Sequence, residues 1–125
     1  MKVRKLDTSK RRDVNAFVQF PFDLYKNCKN WCPPIRLDIT TLMNRKHPLY
    51  EAGEADWFVV ESEGQMLGRI AVNTPKAFSA YKGREFAFFY YYDVVDDLKA
   101  SKMLFDAIED WSKERGVEII EGPTS

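Results

Sequence analysis

Residues 85–120 read EFAFFYYYDVVDDLKASKMLFDAIEDWSKERGVEII. The first eight positions carry apolar side chains on both faces of a period-two pattern, which indicates a strand in the middle of a sheet. From Ala100 onward, apolar residues recur at i, i+4, i+7 and i+8, so a helix is expected over about 97–115. Gly116 is typical of a helix end, and an aliphatic run follows at 117–120. This β-α-β unit predicts two parallel strands joined by a right-handed crossover.

Alternation within 85–92 also predicts where the aromatic side chains of this strand point. Successive residues of a strand face opposite sides of the sheet. Four aromatic side chains are therefore expected on one face and two on the other: Phe86, Phe88, Tyr90 and Tyr92 against Phe89 and Tyr91.

Period-two patterns predict three more strands nearer the N-terminus. Residues 2–6 alternate charged and aliphatic side chains, whereas 55–62 and 66–73 are rich in β-branched and aromatic residues. Glu63 and Gly64 separate the last two runs, which predicts a tight hairpin between them.

Two helices are expected before this hairpin. Residues 9–20 place apolar side chains at helical spacing, and 35–44 repeat that pattern after two prolines. Pro21 is expected to interrupt the first helix because it lacks the N–H that a helix interior requires. With 74–84 taken as irregular, the order is β-α-α-β-β-β-α-β. This order predicts one α/β (α+β) domain over residues 1–125, with a mostly antiparallel sheet that contains one parallel pair.

Composition argues against several classes of function. Nineteen basic residues balance nineteen acidic ones, so no overall positive field is available to hold a nucleic acid or an anionic membrane. Cys28, Cys32 and the single histidine, His47, fall short of the four ligands of a structural zinc site. We therefore expect no metal, two packed thiols and a histidine that lies at the surface or braces a loop. No apolar run approaches the ~20 residues that span a bilayer, so a cytoplasmic protein is expected.

A series of short motifs resembles one superfamily. They follow one another from residue 20 to the end of the chain: Phe20-Pro21, Leu24-Tyr25, Asn30-Trp31, Pro33-Pro34, His47-Pro48-Leu49-Tyr50, Glu54-Ala55, Gly68-Arg69-Ile70-Ala71 and Gly122-Pro123. Together with the element order, they make the chain similar to the N-terminal portion of a longer, uncharacterised bacterial protein of the GNAT superfamily of acyl-CoA N-acyltransferases. In that superfamily a helix and two strands follow the fifth strand, so a fold truncated after that strand is expected.

The resemblance implies a site for acetyl-CoA, or another acyl-CoA, between the fourth and fifth strands. Backbone N–H groups at the end of the fourth strand meet the thioester in that superfamily, and here they belong to Tyr92, Asp93 and Val94. The loop that begins the next helix borders the pyrophosphate, at the positive end of the helix dipole. On this chain the loop comprises Asp97, Leu98, Lys99, Ala100 and Ser101.

Three positions differ from the superfamily's Gln/Arg-x-x-Gly-x-Gly/Ala pattern in this loop: Asp96, Lys99 and Ser101. A carboxylate ~10 Å from a phosphate repels it by roughly 1–2 kcal/mol at an effective dielectric constant near 20. This repulsion exceeds the about 0.3–1 kcal/mol that a helix dipole offers an anion. We therefore expect acetyl-CoA to bind weakly, with a dissociation constant of about 1 mM.

The sequence leaves the catalytic residues open. Glu61 and Glu85 are candidates for the base that removes an amine proton, and Tyr92 lies where the resemblance implies thioester chemistry. Packing in the core and the hairpin is preferred over an acceptor pocket for three other aromatic residues: Trp31, Tyr50 and Trp57.

Two functions remain open at this point. One is a GNAT-like N-acyltransferase domain, and the other is a non-catalytic half-GNAT scaffold that binds a protein partner or itself. A sheet that ends at its fifth strand has an unpaired edge and a bare apolar face, which usually mark an interface. We therefore expect a homodimer with a two-fold axis, built on residues 85–92 and 117–125. Neither a nucleic acid nor a membrane is expected as a partner.

Overall fold

The computed structural model describes residues 1–34, 36–44 and 53–123, which form nine helices and strands. In chain order they are β1 (Lys2–Lys5), α1 (Arg11–Leu24), α2 (Arg36–Leu42), β2 (Ala55–Ser62), β3 (Gln65–Asn73), α3 (Lys76–Lys82), β4 (Phe86–Val94), α4 (Leu98–Lys113) and β5 (Ile119–Glu121). None of the helices in the described part is long and apolar enough to cross a membrane.

The five strands form one sheet in the order β1-β2-β3-β4-β5. The first three neighbouring pairs are antiparallel, and β4 and β5 are parallel. The aromatic strand β4 thus has a neighbour on each side, and α4 supplies the crossover that a parallel pair requires. The predicted fold class is confirmed.

The core has two halves, one on each face of the sheet. On one face, α1 and α2 bury aliphatic and aromatic side chains against Trp57, Val59 and Ala71. On the other, Ala100, Leu104, Ile108 and Trp111 of α4 pack against the opposite side chains of β2, β3 and β4. This arrangement confirms the helix face that the spacing from Ala100 predicts.

The alternation predicted for β4 is correct up to Tyr90 and wrong beyond it. In the pairing of β3 with β4, Arg69 lies opposite Asp93 and Ala71 lies opposite Tyr90. Tyr91 and Tyr92 therefore share the position opposite one residue of β3, which is a β-bulge. The extra residue reverses the phase, so Tyr91 joins Tyr90 on the α1 face and Tyr92 lies on the α4 face.

Pro21 does not end the first helix, contrary to the prediction. The helix α1 continues to Leu24 because the carbonyl group that Pro21 leaves without a donor finds another one. This carbonyl belongs to Phe17, four residues earlier, and it accepts a hydrogen bond of 2.7 Å from Nη1 of Arg69. Tertiary contact thus overrides the local penalty.

One further local prediction needs correction. Residues 74–84 are not irregular, because Lys76–Lys82 form α3, which ends at Gly83 with a left-handed φ of 71°. The residue at the start of α1 is Lys10, which makes no side-chain cap. Asp7, three residues earlier, accepts hydrogen bonds from the backbone N–H and the hydroxyl group of Ser9. By contrast, the hairpin at Glu63 and Gly64 is confirmed, with φ of 52° and 77°.

Candidate functional site

Among the described residues, β4 extends well beyond the end of its parallel neighbour β5. They pair only from Phe86 to Phe88 within the described residues, and β5 ends at Glu121 while β4 continues to Val94. An open depression of about 510 Å³ lies at the end of β5. Its lining residues are Phe89, Ile120, Glu121, Gly122 and Pro123.

Gly122 lets the chain that leaves β5 approach the sheet closely. A Cβ atom at this position would lie 2.6 Å from the ring of Phe89, closer than real Cβ atoms approach other atoms. Phe89 in turn packs edge-on against Phe105 of α4, with ring centroids 5.3 Å apart. The floor of the depression is therefore aromatic and held by α4.

The β-bulge lies farther along the same strand, beyond the residues that pair with β5. Tyr91 has a φ of 52°, in the left-handed region that residues with a Cβ rarely adopt. Its ring stacks on Trp57, with centroids 6.2 Å apart and planes 22° from parallel. The guanidinium group of Arg69 lies 5.5 Å from the centroid of the Tyr91 ring. The unusual backbone is thus supported by buried neighbours.

A buried ion pair follows the bulge directly. Nε and Nη2 of Arg69 contact Oδ2 of Asp93 at 2.9 and 2.8 Å. Arg69 is 2% exposed, and a charge buried to this extent requires a partner. The other carboxylate oxygen of Asp93, Oδ1, accepts a hydrogen bond of 2.8 Å from the hydroxyl group of Tyr25, just past α1. The end of β4 is therefore fastened to both β3 and α1.

Two pKa shifts describe the electrostatics of this network. Burial and the carboxylate of Asp93 raise the pKa of Tyr25 to about 12, so its hydroxyl group stays protonated at neutral pH. Burial lowers the pKa of Arg69, and Asp93 opposes that change. Tyr25 is thus a hydrogen-bond donor to a carboxylate, and a poor source of protons.

Backbone N–H groups in the first turn of α4 are already hydrogen-bonded to the side chain of the N-cap residue, Asp97. Oδ1 of Asp97 accepts hydrogen bonds from the backbone N–H groups of Lys99 and Ala100 at 2.9 and 3.1 Å. These amides belong to the loop that the resemblance assigns to a pyrophosphate. The hydroxyl group of Tyr92 lies 2.5 Å from that of Ser101, which ties the loop to β4. Asp97 is thus the N-cap residue of α4.

The structure places the three candidate catalytic residues far apart. Glu61 lies at the end of β2, two strands or about 10 Å from β4, and accepts a hydrogen bond of 2.9 Å from Arg4. Glu85 precedes β4, and its six-residue separation from Tyr91 is about 20 Å along the strand. Tyr92 is the one of these three candidates that lies at the bulge.

The other residues singled out from the sequence divide into three groups. Trp57 is fully buried in the core, as packing predicts, and Trp31 packs on Phe22 and Tyr25. Cys28 and Cys32 are exposed, so the prediction of packed thiols is wrong. Two residues, His47 and Tyr50, lie outside the described ones. Within residues 1–34, 36–44 and 53–123, no group of three or more His, Cys, Asp or Glu side chains could hold a metal ion.

Sequence reasoning gave no functional role to the Arg69–Asp93–Tyr25 network. One signal pointed to it: Arg69 is a charged residue in the middle of the apolar run 66–73. A charge in such a position must find a buried partner. The sequence does not say which of nineteen acidic residues is the partner.

No family model matches the chain. Protein YghO of Escherichia coli K12 is 30% identical over 115 residues, which cover 92% of this chain and 30% of YghO. The bacterial ceramide synthase of Caulobacter vibrioides is 28% identical over 116 residues, which cover 89% of this chain and 29% of the synthase. The chain therefore spans about 30% of the length of the curated relatives that it matches.

Solved acetyltransferases share the fold. The aminoglycoside acetyltransferase meta-AAC0020 from an uncultured soil metagenomic sample, in complex with sisomicin, superposes with a TM-score of 0.68 and 19% identity over 99% of this chain and 77% of that one. A Clostridium acetobutylicum protein described as a predicted acetyltransferase, with acetyl-CoA, gives a TM-score of 0.65 and 15% identity over 99% and 80% of the two chains. The GNAT-like fold that the motifs resemble is confirmed.

Proposed function

We propose that this chain, which has the fold of GNAT acetyltransferases, is a domain that transfers an acyl group from a thioester to an amine. The observation that carries the proposal is the β-bulge at Tyr91, in the part of β4 that lies beyond Phe88, where no pairing with β5 is present among the described residues. A strand edge that is not paired offers backbone N–H and C=O groups to an extended ligand. The arm of an acyl thioester is such a ligand.

In the proposed reaction the amine nitrogen attacks the thioester carbonyl carbon. The C–N bond forms and the C–S bond breaks, the amine proton passes to a base, and the thiolate leaves and takes up a proton. Backbone N–H groups of 92–94 stabilise the negative charge that develops on the carbonyl oxygen. Neither Glu61 nor Glu85 serves as the base in this proposal, because both lie far from the bulge, and the carboxylate of Asp93 is engaged in an ion pair with Arg69.

The acceptor class is suggested by a relative. A ceramide is an amide of a long-chain amino alcohol, and one relative, 28% identical, is named a bacterial ceramide synthase. We therefore propose a primary amine with a long apolar chain as the first acceptor to test. An aminoglycoside is the comparison acceptor, since a structural neighbour is named for acting on one.

A second candidate, the non-catalytic scaffold, is favoured by one specific observation. The carboxylate of Asp97 already occupies the two amides that a pyrophosphate would need, and Asp96 adds another negative charge beside it. An acyl-CoA must displace that carboxylate or bind without those amides. The expected dissociation constant of about 1 mM is consistent with either case.

The test is amide formation by the purified chain with an acyl-CoA and either acceptor. Product should be detected by mass spectrometry, because thiol reagents would also react with the exposed Cys28 and Cys32. Ile120→Trp fills the depression and should abolish turnover. Leu37→Trp is the matched control, since Leu37 is 71% exposed on α2, and it should keep wild-type turnover.

The outcomes separate the two candidates. Amide formation that Ile120→Trp abolishes and Leu37→Trp leaves unchanged supports the acyltransferase. Absence of product with every donor and acceptor, together with no binding of acetyl-CoA by calorimetry, leaves the scaffold. The expected cytoplasmic location and homodimer stay predictions. Light scattering after gel filtration checks the homodimer.

A further inference from the structure

The backbone of residues 92–94 is anchored from both faces of the sheet. On the α1 face, the carboxylate of Asp93 binds Arg69 and Tyr25. On the α4 face, the hydroxyl group of Tyr92 contacts that of Ser101 at 2.5 Å. The peptide groups between these side chains are therefore held on two opposite sides.

Arg69 links this segment to the bulge and to α1. Its guanidinium group is 4.7 Å from the centroid of the Phe17 ring and 5.5 Å from that of Tyr91, while Nη1 donates to the carbonyl oxygen of Phe17. The same side chain thus touches the residue at the bulge, Tyr91, and the second residue after it, Asp93. A shift of the Arg69 side chain would therefore change its contacts with both Tyr91 and Asp93.

The hydrogen bond of Tyr25 is the contact of this network that can be removed without breaking the ion pair between Arg69 and Asp93. The phenol ring of Tyr25 packs on Trp31, with centroids 5.2 Å apart, and its hydroxyl group reaches Asp93. Removing that single oxygen leaves the ring contact and the buried ion pair in place. The hydrogen bond that links Tyr25, just past α1, to Asp93 near the end of β4 is then lost.

From this geometry we infer that Tyr25, Asp93 and Arg69 are positioning residues, which hold the backbone amides of 92–94 in the direction that acyl transfer requires. This inference rests on the proposed function, and none of the three side chains needs to touch the thioester. Misplacement of a reacting group by about 1 Å lowers a rate by roughly 100-fold. The loss of one anchor should therefore be visible in turnover.

The experiment compares Tyr25→Phe with Tyr81→Phe in the full chain. Both variants lose one phenolic oxygen, but Tyr81 is 84% exposed on α3, a helix that packs through Phe78 on Phe86 at the beginning of β4. We expect Tyr25→Phe to shift the backbone amide resonances of Tyr92 and Val94 in nitrogen–proton spectra. We also expect its kcat to fall about 10- to 100-fold, with KM for acyl-CoA nearly unchanged. Tyr81→Phe should change neither.

A double-mutant cycle tests whether Tyr25 acts through Asp93. Asp93→Asn keeps the size of the side chain and weakens its bond to the phenol. If the two residues form one unit, the double variant should be no slower than the slower single variant. Fully multiplicative losses would mean that they act separately, which overturns the inference.

The readouts distinguish failure of this inference from failure of the proposed function. If Tyr25→Phe lowers only the unfolding midpoint, with kcat and the amide resonances unchanged, the role is structural and the inference is overturned. If wild-type protein transfers no acyl group, the proposed function fails. The nitrogen–proton spectra alone then test whether Tyr25 holds the backbone of residues 92–94 in place. Shifted resonances of Tyr92 and Val94 then support a network that sets the bulge, and unshifted ones refute it.

Discussion

The guanidinium group of Arg69 donates to the carbonyl oxygen of Phe17 at 2.7 Å. Pro21 has no N–H group to donate to this carbonyl within the helix. Arg69, a residue of β3, provides the missing hydrogen-bond donor. The two features compensate each other: a proline inside a helix is costly, and so is a buried charge without partners. Their juxtaposition fixes α1 over the end of β4.

Replacement of Arg69 by methionine should destabilise the fold strongly. The substitution leaves the carboxylate of Asp93 and the carbonyl of Phe17 without their cationic donor, and breaking a buried ion pair typically costs about 3–5 kcal/mol. The free energy of unfolding in urea measures this loss. Arg84→Met is the matched control, because the Arg84–Glu118 pair is more than half exposed, and it should cost about 0–1 kcal/mol. Equal losses for the two variants would contradict the prediction.

Removal of the Asp97 carboxylate should have opposite effects on stability and on binding. Asp97→Ala loses the cap of α4, which costs about 1 kcal/mol of unfolding free energy. It also frees the amides of Lys99 and Ala100 and removes a repelling charge. Acetyl-CoA should therefore bind about tenfold more tightly by calorimetry.

The control for this prediction is Asp96→Ala, which removes a neighbouring charge and keeps the cap. It should leave stability unchanged and improve acetyl-CoA binding less than Asp97→Ala does. If both variants improve binding equally, overall charge and not occupation of the amides limits the affinity.

Stability in alkali should depend on Tyr25. Its pKa is raised from 10.0 to about 12 by burial and by Asp93, so the folded state holds the proton more tightly than the unfolded state does. The resulting stabilisation is fully present below pH 10 and is lost as the pH rises toward about 12. In Tyr25→Phe the decline of unfolding free energy between these pH values should be shallower, as followed by urea unfolding at each pH. Parallel declines in both proteins would refute the assignment.

Gly68 should not accept a side chain. A Cβ atom there would lie 2.9 Å from Cγ2 of Val94 and 3.0 Å from Cδ1 of Leu104, at the contact between the sheet and α4. Overpacking of this kind costs about 1–3 kcal/mol. The midpoint of urea unfolding should fall accordingly in Gly68→Ala. Unchanged stability would mean that α4 moves away freely, which its buried face does not favour.

Local chemistry explains which predictions were successful. The hairpin at Glu63 and Gly64 and the face of α4 depend on residues that are neighbours in the chain. Their turn propensity, hydrogen bonding and spacing can be judged without knowing the rest of the fold. The parallel pair follows in the same way, from the length of its crossover.

The candidate site was only partly visible from the sequence. The motifs directed attention to Tyr92 and to the loop at the start of α4, and in the structure the hydroxyl groups of Tyr92 and Ser101 lie 2.5 Å apart. The bulge at Tyr91 carries no local signal, because a run of aromatic residues alternates equally well with or without an extra residue. Because of this extra residue, Tyr91 and Tyr92 lie on the faces of the sheet opposite to those predicted.

The sequence by itself determined the strands, the hairpin and the β-α-β crossover, since each is encoded by period and by turn residues within a short window. Only the tertiary structure decided the continuation of α1 through Pro21, the bulge and the network around Arg69. The bonds of Arg69 to Phe17 and to Asp93 join residues 52 and 24 positions apart, and that of Tyr25 to Asp93 spans 68. Such contacts form only when the chain has packed, because a buried charge, a proline and a phenol each accept several partners until the fold selects one.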